Sequence, residues 1–207
     1  MALGGGHAEQ LGECLASGGV VVFTTDTVYG LGCDPENESA VRRLYELKGR
    51  PADRPAAIMF FNRDLATTTL GDLGDLERAA IEALLPGPVT LLLPNRDRRF
   101  PLASGPTADS RRLGLRVPLR GSVLAALASV QRPLMQSSAN LSGGSEARRL
   151  SDVAPSVLAG ADLVIDGGEL GGVASTVLDL YDYQRTGSWS ILRDGAMARE
   201  AIERALS

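Results

Sequence analysis

Short apolar runs alternate with helix-patterned polar segments along the whole chain. A helix is expected over residues 8–16, stopped by Ser17-Gly18-Gly19, and the β-branched, apolar run that follows predicts a strand over 20–25. Residues 39–47 place Val41, Leu44, Tyr45 and Leu47 among arginines, the pattern of an amphipathic helix, with Gly49 and Pro51 ending it. Lys48 and Arg50 therefore fall at or just past a helix C-terminus, ahead of a strand over 56–61. A helix over 75–84 is broken by Pro86-Gly87-Pro88 before a strand over 89–93. The polar stretch 95–109 reads as a mobile loop. A strand over 113–117, a helix over 122–130 and a strand over 133–136 lead into a Ser137-Ser138-Ala139-Asn140 turn. A helix over 151–158, strands over 163–165, 175–180 and 188–192, and a helix over 196–206 complete the pattern.

Strands and helices intermix without a repeat or a linker, and the C-terminal third is too strand-rich for strict β/α alternation. The expected fold is a single α/β domain with a twisted mixed sheet flanked by helices. Within it, residues 1–17 form an N-terminal segment and helix, 18–195 the main body, and 196–207 a helix packed on that body.

Composition narrows the classes. A chain of 207 residues that is 44% hydrophobic and 22% charged is an ordinary globular sequence. Its longest apolar runs fall far short of the roughly 20 residues that a membrane span needs. The N-terminus has neither the basic start nor the apolar run of a signal peptide, so a cytosolic address is expected. Cys14 and Cys33 have no metal-ligand spacing and read as free thiols. A net charge of −4 argues against indiscriminate coating of nucleic acid and leaves a local basic groove open.

Of the 21 basic residues, 20 are arginine and one, Lys48, is lysine, while His7 is the sole histidine. A compact ammonium at one position in an arginine-using chain fits a site that does not accept the planar guanidinium, or is the chance survival of one lysine. With His7 in the N-terminal segment, the chemistry proceeds without histidine.

Five segments carry candidate chemistry. Thr24-Thr25-Asp26-Thr27-Val28-Tyr29-Gly30-Leu31-Gly32 is a hydroxyl-rich turn at a strand end, suited to a small polar substrate or simply to turn formation. Lys48-Gly49-Arg50-Pro51-Ala52-Asp53-Arg54 gathers three cations on one loop, which suits a polyphosphate and equally suits a helix dipole. Arg116 is an arginine in an otherwise apolar strand and needs a carboxylate, from the protein or from a substrate. Ser138-Ala139-Asn140 can bond a ribose or phosphate, or cap a turn. Ser175-Thr176 and Arg193 border strands near the C-terminus. Neither a P-loop nor a GxGxxG fingerprint is present.

Taken together these segments resemble the YrdC-like family of threonylcarbamoyl-adenylate synthases, from about Gly18 to Gly195. The family's KxR and SxN signatures stand as Lys48-Gly49-Arg50 and Ser138-Ala139-Asn140, flanked by TDTVYGLG, PGPVTLLLP, LRVP and STVLDL. The resemblance implies helices and a twisted mixed sheet around a large, positively lined cavity. It implies a nucleotidyltransferase that forms threonylcarbamoyl-AMP and pyrophosphate from L-threonine, bicarbonate and ATP, with Mg2+ carried on the ATP phosphates. It further implies tRNA and a downstream threonylcarbamoyl-transferring protein as partners. Carried over position by position, Thr27, Arg116 and Ser175 are threonine contacts. Lys48, Arg50, Arg54, Ser138, Asn140 and Arg193 fall at the ATP, with Lys48 and Arg50 as the catalytic pair. No protein metal ligands are expected. Met59 stands where many relatives place a histidine, Ala174 where a glutamate is common, and Arg54 where asparagine is frequent.

Two other readings compete. One is a non-catalytic RNA-binding module using Arg42, Arg43, Arg96, Arg98, Arg99, Arg111 and Arg112 against phosphates. The other is a paralogous carbamoyltransferase that keeps the cavity with a different substrate.

Overall fold

The structure, a computed structural model, describes residues 6–51, 53–104, 111–119 and 121–207. Residues 105–109 of the expected mobile loop lie outside them.

Among the described residues nine strands form one mixed sheet: β1 (Val20–Phe23), β2 (Gly30–Cys33), β3 (Ala57–Met59), β4 (Val89–Pro94), β5 (Arg112–Arg116), β6 (Leu134–Ser138), β7 (Leu163–Ile165), β8 (Thr176–Asp179) and β9 (Ser190–Arg193). Their spatial order is β7-β1-β2-β6-β3-β5-β4-β8-β9. The β1–β7, β3–β5 and β4–β8 pairs are parallel, and the other five are antiparallel. The helices are α1 (Gly6–Ala16), α2 (Glu38–Lys48), α3 (Arg63–Leu70), α4 (Asp75–Leu84), α5 (Ser122–Ala125), α6 (Pro155–Gly160), α7 (Tyr183–Thr186) and α8 (Arg199–Ala205).

Strand alternation divides the sheet into two faces. Val20 and Val22, Ile58, Val89, Leu91 and Leu93, Leu113 and Leu115, Met135 and Leu178 enter the larger apolar cluster, which α2, α3, α4, α6 and α8 cover. At the opposite face Val21, Phe23, Met59 and Leu134 pack under α1 and the segment 124–130 in a smaller cluster. Further along that second face the residues turn small or polar: Ala57, Thr90, Gly114, Arg116, Gln136 and Ser138. All six line a cavity.

Four elements depart from expectation, the first being the helix expected over 122–130, which ends at Ala125 as α5. Strand β2 was hidden by its composition, since Gly-Leu-Gly-Cys carries little strand preference. Antiparallel pairing to β1 on one side and β6 on the other supplies what propensity lacks. Helix α3 contains three consecutive threonines and is set by its cap: Asn62 Oδ1 accepts from Asp64 N at 2.8 Å and Leu65 N at 3.3 Å. The helix expected over 151–158 divides at Pro155 into a 3-10 turn (Leu150–Asp152) and α6, because proline starts a helix more readily than it continues one.

Gly195 sets the C-terminal edge. A Cβ there would stand 2.4 Å from both Ala174 O and Thr176 N, closer than packed atoms allow. Its neighbour Ala196 donates to Ala174 O at 2.9 Å, and the Thr176 hydroxyl donates to Met197 O at 2.7 Å. Gly195→Ala is expected to push this segment off β8, costing about 1–3 kcal/mol. Thermal unfolding checks it: a fall of several degrees is expected, and an unchanged midpoint would contradict the packing described.

Candidate active site

The cavity on the open part of the sheet encloses about 460 Å³. Arg50, Arg112, Arg116 and Arg193 line it together with Ser137, Ser138, Ser175, Thr90 and Gln136, and Glu146 is the carboxylate on its wall. Four guanidiniums around one concavity suit an anionic occupant. The small residues Ala57 and Gly114 face each other across β3 and β5 and make the floor deep. A Cβ on Gly114 would stand 3.3 Å from Ala57 Cα and Cβ.

At one end lies Arg116, whose side chain is 4% exposed. It forms a short ion pair with Asp26, equally buried, and donates to Thr27 Oγ1 at 2.7 Å. The turn that presents both acceptors is organised by the Thr25 hydroxyl. It donates to Val28 O at 2.6 Å and accepts from Thr27 N at 3.1 Å. Asp26 Oδ2 also accepts from Leu119 N at 2.9 Å, so one carboxylate ties together the turn, β5 and the segment after it. Among the described residues Arg116 Nε is buried without a partner. A guanidinium N–H unpaired beside a cavity can donate to an oxygen of an occupant.

The other end is built on the C-terminus of α2. Gly49 in the left-handed conformation, φ 57°, closes the helix, and Arg50 N bonds back to Tyr45 O at 2.9 Å. Arg50 is steered toward the cavity by its bonds to Pro55 O at 2.6 Å and Arg54 O at 3.4 Å. Lys48, only 3% exposed, turns its ammonium into the turn after β6. Nζ donates to Ser138 O at 2.5 Å, Asn140 O at 2.7 Å and Asn140 Oδ1 at 3.0 Å, with Ser138 Oγ at 3.3 Å. Burial pushes its pKa down to about 8, the Arg50 charge adds to that, and Glu146 opposes it. On the far wall Arg193 donates to Ser175 O at 2.7 Å, and Ser175 Oγ lies 2.9 Å from Thr90 Oγ1.

The structure thus brings Arg50, Arg116, Ser138, Ser175 and Arg193 onto one cavity wall. Thr27, Lys48 and Asn140 stand one layer behind, holding Arg116 or the Ser138 turn. One sequence expectation departs from the cavity wall. Arg54 is exposed and absent from the wall, because the loop spends its backbone carbonyl on Tyr45 and Arg50 and leaves the side chain outside. Met59, at the family position noted above, sits on the cavity's face of the sheet and is fully buried in the smaller apolar cluster. Sequence reasoning missed Asp26 as the partner of Arg116, as well as Glu146, Thr90 and Gln136. For Asp26 the signal was present, an acid inside the TDT turn and a buried arginine elsewhere, each in need of the other. Among the arginines raised for RNA binding, Arg43, Arg96, Arg99 and Arg112 are paired with Asp162, Glu77, Asp97 and Asp179.

Fold and cavity together define an α/β protein whose open mixed sheet carries a deep, cation-lined pocket between a helix C-terminus and a hydroxyl-rich turn. The family model for the Sua5, YciO and YrdC proteins, described as telomere recombination, matches residues 13–195, and the chain belongs to that family. It is 38% identical over 165 residues to a threonylcarbamoyl-AMP synthase of Xanthomonas campestris pv. campestris, covering 77% of this chain and 84% of the relative. It is 32% identical over 193 residues to the threonylcarbamoyl-AMP synthase of Pyrococcus abyssi, covering 93% of this chain and 55% of that protein. The chain therefore spans little more than half of the P. abyssi relative. The structure of P. abyssi Sua5 complexed with L-threonine matches with a TM-score of 0.83 at 29% identity, over 99% of this chain and 58% of that one. E. coli YciO shares the fold, with a TM-score of 0.79 at 24% identity over 96% of this chain and 94% of its own. Among the described residues no helix is long and apolar enough to cross a membrane.

Proposed function

We propose that this chain is a nucleotidyltransferase that makes threonylcarbamoyl-AMP from L-threonine, bicarbonate and ATP. The observation that carries the reading is the two-ended cavity of a family member: a buried arginine with an unspent donor at one end and a helix-terminal cation cluster at the other. Relatives bearing the synthase name, and a structural neighbour solved with L-threonine, support the same assignment.

In this reading the threonine carboxylate accepts from Arg116 at the Thr25–Thr27 turn, with Ser175 nearby. The triphosphate lies toward Arg50, Ser138 and Arg193. Threonine's amine and bicarbonate combine with loss of water to give a carbamate. A carbamate oxygen then attacks the α-phosphorus, the bond to the bridging oxygen breaks, and pyrophosphate leaves with the electron pair. The carbamate is already a nucleophile, so positioning and charge stabilisation do the catalytic work and no histidine is required. Lys48 and Asn140 act by holding Ser138 rather than by touching phosphate.

Magnesium would enter on the triphosphate and neutralise phosphate charge there. One protein atom fits it, the buried and unpartnered Glu146 Oε2 on the cavity wall. Among the described residues no group of three or more His, Cys, Asp or Glu side chains is placed to hold an ion. Transfer of the product to an adenosine of tRNA by a downstream protein, in the cytosol, completes the proposal.

Pyrophosphate release from ATP, measured with and without threonine and bicarbonate, tests it. Release that requires both is expected. Release indifferent to threonine would point to a paralogous carbamoyl transfer, and RNA binding with steep salt dependence and no release would point to a non-catalytic module.

A further inference from the structure

Glu146 is out of place in a cavity made for anions. Its Oε2 is buried without a hydrogen-bond partner, and among the described residues it forms no ion pair, although four arginines line the same cavity. The residue as a whole is half-buried, and a phosphate chain beside this carboxylate would add like-charge repulsion. The loop nevertheless fixes it in position. Asn140 Nδ2 donates to Gly144 O at 2.6 Å on one side. On the other, Tyr29 N donates to the carbonyl of fully buried Ala147 at 2.9 Å, and the amides of Arg148 and Arg149 both donate to Asp152 Oδ2. Its charge is felt by Lys48 and by Arg193, the groups at the phosphate end of the cavity. A carboxylate pinned among phosphate-binding cations, and paired with none of them, is complementary to an occupant that is itself positive.

We infer that Glu146 is the protein's own ligand for a divalent cation carried into the cavity on the triphosphate. This rests on the ATP reading above and deepens it. Magnesium is commonly held by one or two carboxylates together with substrate phosphates and water, which is what a single carboxylate beside a triphosphate provides. The cation arrives with the nucleotide, since one carboxylate alone makes no resident site. Recognition is then directed at the metal–nucleotide complex: with the ion in place Glu146 attracts the ligand, and without it Glu146 repels the ligand.

Calorimetric titration of the full chain with ATP, in excess magnesium and separately in excess EDTA, tests this through binding alone. Glu146→Gln keeps the shape and removes the charge. It is expected to weaken magnesium–ATP binding roughly tenfold while leaving metal-free ATP unchanged or tighter. Glu146→Asp, a shorter carboxylate, is expected to lie between the two and to keep the preference for the metal complex. Equal weakening with and without metal would mean that the carboxylate meets the nucleotide itself, for example a ribose hydroxyl, and would overturn the inference. No change in either titration would overturn it as well. Wild-type protein that binds ATP in neither condition would instead sink the ATP reading, a result separable from the behaviour of the variants.

Discussion

Replacing Arg116 by glutamine is expected to remove threonine-dependent pyrophosphate release by at least about a hundredfold and to lower the unfolding midpoint by roughly 10 °C. The two effects have separate origins. Arg116 and Asp26 form an ion pair in which both side chains are 4% exposed, so the glutamine variant leaves a carboxylate buried with only Leu119 N to bond. Breaking such a pair on one side costs about 3–5 kcal/mol. The expected rate effect comes from Nε, a buried donor with no partner among the described residues. The Asp26→Asn/Arg116→Gln double variant separates them, because it removes both charges together. It is expected to recover most of the thermal stability and none of the rate. Recovery of threonine-dependent release along with stability would show that the guanidinium is structural and that the carboxylate of the substrate binds elsewhere.

The second large effect concerns Lys48. Its ammonium has three protons and four oxygens within reach, all belonging to Ser138 and Asn140. Lys48→Ala leaves those acceptors buried without their donor and is expected to cut pyrophosphate release by a hundredfold or more, mainly through a raised KM for ATP as the Ser138 turn loosens. Lys48→Arg is expected to fail by at least tenfold, because a planar fork cannot converge on oxygens grouped around one point. Wild-type rates in Lys48→Arg would refute the role given to the ammonium.

The same site predicts a pH dependence. Burial, helped by Arg50, lowers the Lys48 pKa to about 8, so the charged form prevails below that pH and is lost above it. Its one deprotonation removes the charge and leaves two of three donors for the turn. The rate is expected to fall as pH rises through about 8, and the descending limb should be absent from the residual activity of Lys48→Arg. A limb at the same pH in both proteins would assign it to another group.

How much of this was legible in advance depends on the range of the interaction concerned. The mixed α/β class followed from local pattern, because apolar runs and amphipathic stretches mark elements wherever burial on one face is required. Strand β2 and helix α3 did not follow, since pairing on both edges and a single asparagine cap override weak propensities over four and eight residues. The ordered motifs named the residues that now converge: Arg50, Arg116, Ser138, Ser175 and Arg193. Their layers were invisible. Lys48 and Arg54 share one loop in sequence, yet in three dimensions the Lys48 ammonium is bonded into the Ser138–Asn140 turn and Arg54 is exposed.

The sequence by itself determined the class of fold, the family, and the chemical inventory of an arginine-rich, histidine-free site with one lysine. Only the tertiary structure decided which cation faces the cavity, which is neutralised by a protein carboxylate, and which carboxylate is left unpaired among cations. The physical reason is that a charge's role is set by its neighbours in space. Asp26 and Arg116 are 90 residues apart along the chain and share one ion pair, whereas Lys48 and Arg50, separated by one glycine, serve different surfaces.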